Sequence, residues 1–485
     1  MLFNSYEFIF AFLPITLIVY FVFHHFGKSA FAKAWLVFCS LFFYAYFNFA
    51  YLWIIVLSIV ANYLIGSYLV KRQGKKTAVC KLLFAAGLIL NIGMLFFYKY
   101  LDFTFATVAN IFNTDPIHLG LILPLGISYI TFHQISYLTD SYRGEAAQYS
   151  FLDYSLFVSF FPKLIAGPIV PHGELIPQFE NSDNFKFKFE NLSCGLFAFS
   201  RGIAKKVLVA DNFAKIVTYG YANVKGLSSF ETVLTILAYT FQIYFDFSGY
   251  CDMASGIAKM FNIDLPLNFN SPYKARNISD FWKRWHITLT SFLTRYVYFP
   301  LGGSRRGNAR TYLNIFIVFL VSGIWHGAGF TFIVWGLLHG AAQVIYRALK
   351  KPIDKIPYAV TCIATFIFVS ITWVFFRAVT IPDALQMLSG IFKGGFTLSA
   401  ELTETLLNII PISVVTNVLH FNWTLKALLI AIMAGTCAVC FFTKNVQEKA
   451  KTFSPSVLNL ISTAFLLVWS MLSLSGVSTF LYSNF

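Results

Sequence analysis

The sequence predicts an all-α protein that crosses a membrane about ten to thirteen times, and three observations carry that expectation. Hydrophobic residues make up 58% of the 485 residues and charged residues 12%, an apolar share beyond what a water-facing surface allows. Apolar runs of about 20 residues, the length a bilayer requires, recur along the whole chain rather than once at its start. The basic residues behind the net charge of +15 sit in short loops between those runs: Lys71, Arg72, Lys75, Lys76 and Lys81, then Lys205 and Lys206, then Lys444, Lys449 and Lys451. Such a distribution orients helices in a bilayer. With no soluble domain beside it, the positive charge argues against nucleic acid as a partner.

Taken in order, spans are expected near 6–26, 31–48, 51–70, 80–97, 151–169, 192–210, 230–250, 311–321 with 324–346, 357–376, 425–443 and 456–475. The first lacks a basic region before it and a small-residue cleavage site after it, so it reads as a retained helix rather than a signal peptide. If the basic loops at 71–81 and 444–451 are cytoplasmic, both termini are extracytoplasmic. A single integral membrane domain, 1–485, is expected, in which polarity changes along the chain. Residues 1–115 are plain spans, 116–350 mix apolar runs with Gly, Pro, His, Asp and Arg and form the expected catalytic core, and 351–485 return to plain spans ending in an aromatic motif. No internal repeat is evident, which counts against transporters built from duplicated halves. Cys437 and Cys440 form a CxxC inside an apolar helix without a second ligand pair, so they read as core residues and no metal site is expected.

Within the middle region, "LPLGISYITFHQISYLTDSYRGE" (123–145) and "FPKLIAGPIVPHGELIPQF" (161–179) interrupt apolar sequence with glycine and proline. Irregular backbone at membrane depth survives only where protein buries it or a watery cavity faces it, so short, broken or re-entrant helices are expected there. Residues 245–310 are too charged to span and too aromatic for a free loop, and they predict short amphipathic helices at the cytoplasmic interface.

Chemistry concentrates on two histidines. His326 lies in "VSGIWHGAGFTFIVWG", otherwise apolar or glycine. An ionisable group there faces a bundle interior or cavity, either as a general base or as a buried hydrogen-bonded histidine. Gly323, Gly327 and Gly329 let backbone or substrate come close. His286 lies in "FWKRWHITLT", between a basic aromatic cluster and an apolar run, where an interfacial structural role is equally open. The two are 40 residues apart, and spacing alone does not bring them together. Nucleophile elbows, zinc-protease motifs, dinucleotide fingerprints and Walker loops are absent. "LGGSRRG" (301–307) offers backbone N–H groups and the guanidiniums of Arg305 and Arg306 to an anion, or is an ordinary positive-inside loop.

"YFDFSGYCDMASGIAKMF", "LPLNFNSPYKARNISDFWKRWHITLT", "YVYFPLGG" and "SGIWHGAGFTFIVWGLLHG" resemble the bacterial branch of the membrane-bound O-acyltransferase (MBOAT) family, which acetylates alginate, peptidoglycan and cellulose. The teichoic acid D-alanyl transfer protein is a more distant relative. The likeness runs through most of the chain. It implies a ring of transmembrane helices around a central funnel or tunnel, and transfer of an acyl group, usually acetyl, toward an extracytoplasmic glycan hydroxyl. It also implies a bacterial cytoplasmic membrane, a separate serine-hydrolase-like partner outside, and acetyl-CoA or another acyl thioester as donor, with no tightly bound cofactor. By the resemblance His326 is the family's essential histidine and His286 its second. The basic cluster of Lys283, Arg284 and Trp285, with Arg305 and Arg306, would receive donor phosphates. The terminal "STFLYSNF" resembles a short aromatic motif of this branch in which the tyrosine, here Tyr482, is an acyl carrier. Its plainer reading is an aromatic interface anchor. A polytopic transporter and a non-catalytic scaffold of a glycan-modification complex are the competing function classes.

Overall fold

A computed structural model describes residues 1–407, 425–474 and 480–481. Every regular element among the described residues is a helix. Among the described residues, six helices are long and apolar enough to cross a bilayer: Phe8–His25, Phe49–Lys71, Ala78–Lys99, Gly307–His326, Tyr358–Arg377 and Leu425–Phe442. Ser29–Ala45, Leu101–Phe112 and Val457–Leu472 are shorter apolar helices. Ile89, Leu82, Phe442 and Leu458 point outward from these helices and are exposed, the arrangement that lipid rather than water favours. The N-terminal helices match the expected spans to within a few residues, because each is one uninterrupted apolar run.

The middle of the chain departs from simple spans. The run expected at 151–169 breaks into Phe151–Ser159 and a short turn Phe161–Leu164 with Pro162 in its first turn. Proline lacks the N–H that would continue the ladder, and Gly167 then folds so closely over Lys163 that a Cβ on it would sit 2.4 Å from the Lys163 Cα. Residues 153–170 are buried throughout, so protein rather than lipid surrounds this broken backbone. The span expected at 230–250 is a longer helix, Ser229–Met260, opened by a capping box between Ser228 and Glu231.

Helix Phe189–Ala204 packs on Ser229–Met260 through two glycine contacts. A Cβ on Gly195 would lie 2.5 Å from the Gly256 carbonyl oxygen, and one on Gly202 would lie 2.7 Å from that of Gly249. The seven-residue spacing on both helices keeps the glycines on one face, and backbone contact of this kind is how membrane helices associate where apolar burial gives no preference for protein over lipid. Two carboxylates buried on the long helix are paired with lysines. Lys206 Nζ lies 2.7 Å from Asp246 and Lys205 Nζ 2.6 Å from Asp252.

Residues 272–298 form short helices, as expected. Phe281, Trp285 and Leu289 are each 1% exposed, because their apolar side chains pack into the core. The chain ends adjoin: the Tyr6 hydroxyl donates to the Met471 carbonyl at 2.8 Å, and Phe3 and Phe480 pack on Tyr250 with centroids 5.0 and 4.8 Å away.

Candidate active site

His326 is the last residue of helix Gly307–His326, which turns back into Phe330–Ala348. The two helices touch at Gly323 and Gly336, where an added Cβ would lie 2.4 Å from the Phe332 and Phe319 carbonyl oxygens respectively. Gly327 takes an extended backbone and sits under the Phe332 ring. The close approach read from the glycine pattern is thus made by the chain's own hairpin. The carbonyls left open at the helix end are met from another helix. Lys99 Nζ donates to Trp325 O at 2.5 Å and His326 O at 3.3 Å, and Tyr100 Oη donates to Ile324 O at 2.7 Å. A cation at a helix C-terminus also suits the helix dipole. The His326 ring is 2% exposed, walled by Trp325 (4.8 Å), Trp335 (5.0 Å) and Phe376 (5.2 Å between centroids).

His286 has a left-handed backbone, φ 45°, which is costly for a side chain with a Cβ and collects at functional positions. The conformation is held by pairing with residues 268–270: Ile287 N–H donates to Asn268 O at 3.0 Å and Asn270 N–H to Arg284 O at 2.8 Å. Asn268 also orients the ring. Its Oδ1 accepts from Thr288 N–H (3.2 Å) and Thr288 Oγ1 (2.9 Å), and its Nδ2 donates to Cys251 Sγ (3.3 Å). With the amide oriented so, His286 Nδ1, 3.2 Å from Asn268 Oδ1, must carry the proton, and Nε2 holds the lone pair. The His286 and His326 rings stand 6.5 Å apart with Trp325 beside both. Forty residues of sequence separation therefore close into one site.

The other buried histidines near it are committed to structure. His339 accepts from Trp282 Nε1 (3.3 Å) and bonds the Thr372 hydroxyl (3.0 Å). His133 donates from Nδ1 to Tyr129 O (2.8 Å) and accepts from Val170 N–H (3.3 Å).

Two cavities approach the pair. One is bordered by Lys99, Pro124, Ser128, Ile165, Trp325 and His326. A second, of about 800 Å³ and mainly apolar, runs along Trp282, Leu289, Leu293 and Phe319 to Ser322, one helical turn before His326. It shares Ile315, Gln343 and Arg347 with a polar cavity of about 910 Å³ lined by Asp280, Lys283, Tyr346, Arg347 and Lys350.

The expected donor cluster is dispersed accordingly. Lys283 lines the polar cavity. Arg284 pairs with Asp280 at 2.8 Å and donates to Asn270 O at 3.3 Å. Trp285 is buried against Trp373 and Phe281, with centroids 4.9 and 5.6 Å away. Arg305 and Arg306 lie on an exposed turn that borders neither of the cavities leading to Ser322. Sequence reasoning missed Arg347 and Lys350, which the alternation of basic residues after an apolar span signals, and Lys99 and Asn268, which only tertiary contact could single out. Tyr482 lies outside the described residues.

A buried histidine pair with one cavity at His326 and another ending one helical turn short of it suits acyl transfer in a helical membrane protein, and the family comparison decides the point: the membrane-bound O-acyltransferase family matches residues 38–381. The chain belongs to that family. This MBOAT protein is 42% identical to a peptidoglycan O-acetyltransferase of Helicobacter pylori over 522 residues, covering 100% of this chain and 98% of the relative. It is 37% identical to a probable alginate O-acetylase of Pseudomonas aeruginosa over 68% of this chain and 64% of that one. A teichoic acid D-alanyltransferase of Bacillus subtilis is 28% identical over 48% of this chain and 61% of that one. The MBOAT protein is therefore a multi-pass membrane O-acyltransferase that uses an acyl donor, and the transporter and scaffold readings fall away.

Proposed function

We propose that this chain moves an acetyl group from a cytoplasmic acyl thioester, acetyl-CoA above all, across the bacterial cytoplasmic membrane for O-acetylation of an extracytoplasmic glycan. Peptidoglycan is the favoured polymer, because the relative named for it matches over essentially the full length of both chains. The observation that carries the reading is the 6.5 Å separation of the His286 and His326 rings. One substrate oxygen at about 2.8 Å from a nitrogen of each ring fits across such a gap.

His326 takes the proton of the attacking hydroxyl as its oxygen adds to the thioester carbonyl carbon. The C–S bond then breaks, and the imidazolium returns the proton to the departing thiolate. His286, fixed by Asn268, positions the hydroxyl or the developing charge at the carbonyl. Lys283, Arg347 and Lys350 receive the donor's phosphates, and the apolar cavity up to Ser322 holds its thioester arm. Arg284, Trp285, Arg305 and Arg306, the rest of the donor set expected from the family likeness, line neither of these cavities.

In the same reading Tyr482 is the first acceptor. Its hydroxyl loses a proton to His326, carries the acetyl group as an ester outward, and gives it to the glycan through a serine-hydrolase-like partner. Both termini face the extracytoplasmic side, and residues 1–485 act as one integral domain. The test is intact-mass analysis of the C-terminal peptide of the purified full-length protein after incubation with acetyl-CoA. One added acetyl group on Tyr482 that His326→Ala abolishes is expected. An unmodified tyrosine during active turnover defeats the carrier role, and full glycan acetylation by His326→Ala defeats the whole reading.

A further inference from the structure

The long helix Ser229–Met260 makes two sets of contacts on adjoining faces. On one face stand Asp246 and, one turn later, Tyr250. Asp246 Oδ1 accepts from Lys206 Nζ at 2.7 Å, while its Oδ2 accepts from the backbone N–H of Leu481 at 2.9 Å. The Lys206 ammonium, which also pairs with Asp211 at 2.8 Å, lies 4.8 Å from the Phe480 ring centroid. Tyr250 meets the same ring edge-on at 4.8 Å. Phe480 is 1% exposed and Asp246 2%.

On the next face stand Phe247 and Cys251, each one residue on and so rotated by about 100°. Phe247 packs perpendicular to the His286 ring at 4.9 Å, and Cys251 accepts from Asn268, whose other amide atom holds His286 Nδ1. One rigid helix thus grips the end of the chain with residues 246 and 250 and the second histidine with 247 and 251.

A buried ion pair is poor glue, because desolvating both charges offsets most of their attraction. The glycine contacts at Gly195–Gly256 and Gly202–Gly249 already join these two helices. What the pair adds is directional: a carboxylate oxygen turned to one backbone N–H and an ammonium turned to one aromatic face.

We infer that Asp246 and Lys206 form a cradle for Phe480 and Leu481 that anchors this end of the chain on the helix that also packs against His286, and are positioning residues for acyl transfer. The consequence for transfer rests on the carrier role proposed for Tyr482; the cradle itself does not.

Three variants separate the two: Asp246→Ala, Phe480→Ala, and a single glycine inserted after Leu481. Docking is read by carboxypeptidase trimming of the purified full-length protein followed by intact mass. Transfer is read as base-released acetate from peptidoglycan of the native host carrying the variant in place of the parent. Asp246→Ala and Phe480→Ala should be trimmed past Phe480 at least about tenfold faster, since protease access tracks the population of the opened tail, and both should lose most acetylation. The insertion should keep the parent's protection at Phe480 and lose transfer, an outcome a merely structural cradle does not produce. Phe480→Ala leaves the Lys206–Asp246–Asp211 charges in place and serves if Asp246→Ala does not accumulate. Trimming unchanged in both substitutions overturns the cradle. Full transfer by the insertion variant, or by a variant with a released tail, overturns its positioning role, while an inactive His326→Ala measured alongside leaves the two-histidine reading standing.

Discussion

Replacing Gly323 by alanine should nearly silence this enzyme without unfolding it. The added Cβ would lie 2.4 Å from the Phe332 carbonyl oxygen and 3.3 Å from Gly336 Cα, whereas ordinary contact begins at 3.4 Å. Both close atoms are backbone, so no side chain can rotate away and the hairpin must open by 3.4 − 2.4 = 1.0 Å. Overpacking of this size costs about 1–3 kcal/mol, within what a large helical bundle tolerates. His326 sits three residues further along the same helix and moves with it, and a displacement of about 1 Å at a reacting group costs on the order of 100-fold in rate. Gly329→Ala is the matched control, because its Cβ would meet nothing nearer than 3.6 Å. Base-released acetate from peptidoglycan, normalised to the amount of variant in the membrane and set beside its melting temperature, reads both effects. If Gly323→Ala acetylates as well as Gly329→Ala at equal abundance, His326 is not held by this crossing and the reasoning is refuted.

Further outcomes follow from the same geometry. His326→Gln should lower transfer by about 10²–10⁴-fold, the range for a lost general base, with unchanged abundance on immunoblots. Asn268→Ala leaves His286 Nδ1–H and Thr288 N–H without their buried acceptor, so destabilisation of about 1–3 kcal/mol per group and a large loss of activity are expected, with Asn268→Asp restoring the acceptor and part of both. Lys99→Met uncaps the Trp325 and His326 carbonyls and should lower the melting temperature, with a cost of about 1–3 kcal/mol. On the donor site proposed above, Arg347→Gln should raise the Michaelis constant for acetyl-CoA by about tenfold while kcat holds, because a phosphate contact away from the reacting carbonyl would contribute to binding alone.

Hydropathy made much of this molecule readable in advance. Phe8–His25, Phe49–Lys71 and Ala78–Lys99 are legible because each apolar run is its own evidence for a span, independent of any neighbour. His326 is legible for the converse reason, a polar ring in an otherwise apolar stretch. Local pattern failed where buried protein replaces lipid. Residues 151–169 read as one span because apolarity cannot distinguish a lipid-facing helix from a broken segment inside the bundle, although Pro162 and Gly167 mark the break. The sequence after 272 likewise does not reveal that Trp285 is buried, since its ring is as apolar in a core as at a headgroup.

By itself, then, the sequence determined an all-helical membrane protein, its polar middle, and the two histidines worth watching, all properties that reside in single residues and short windows. Tertiary structure alone decided that His286 and His326 stand 6.5 Å apart, that Lys283 shares its cavity with Arg347 and Lys350 rather than with Arg305 and Arg306, and that Leu481 reaches Asp246. Each of those relations joins distant parts of the chain through a helix crossing. Crossings are set by where glycines let backbones touch and which buried carbonyls find a donor, quantities that exist only between helices.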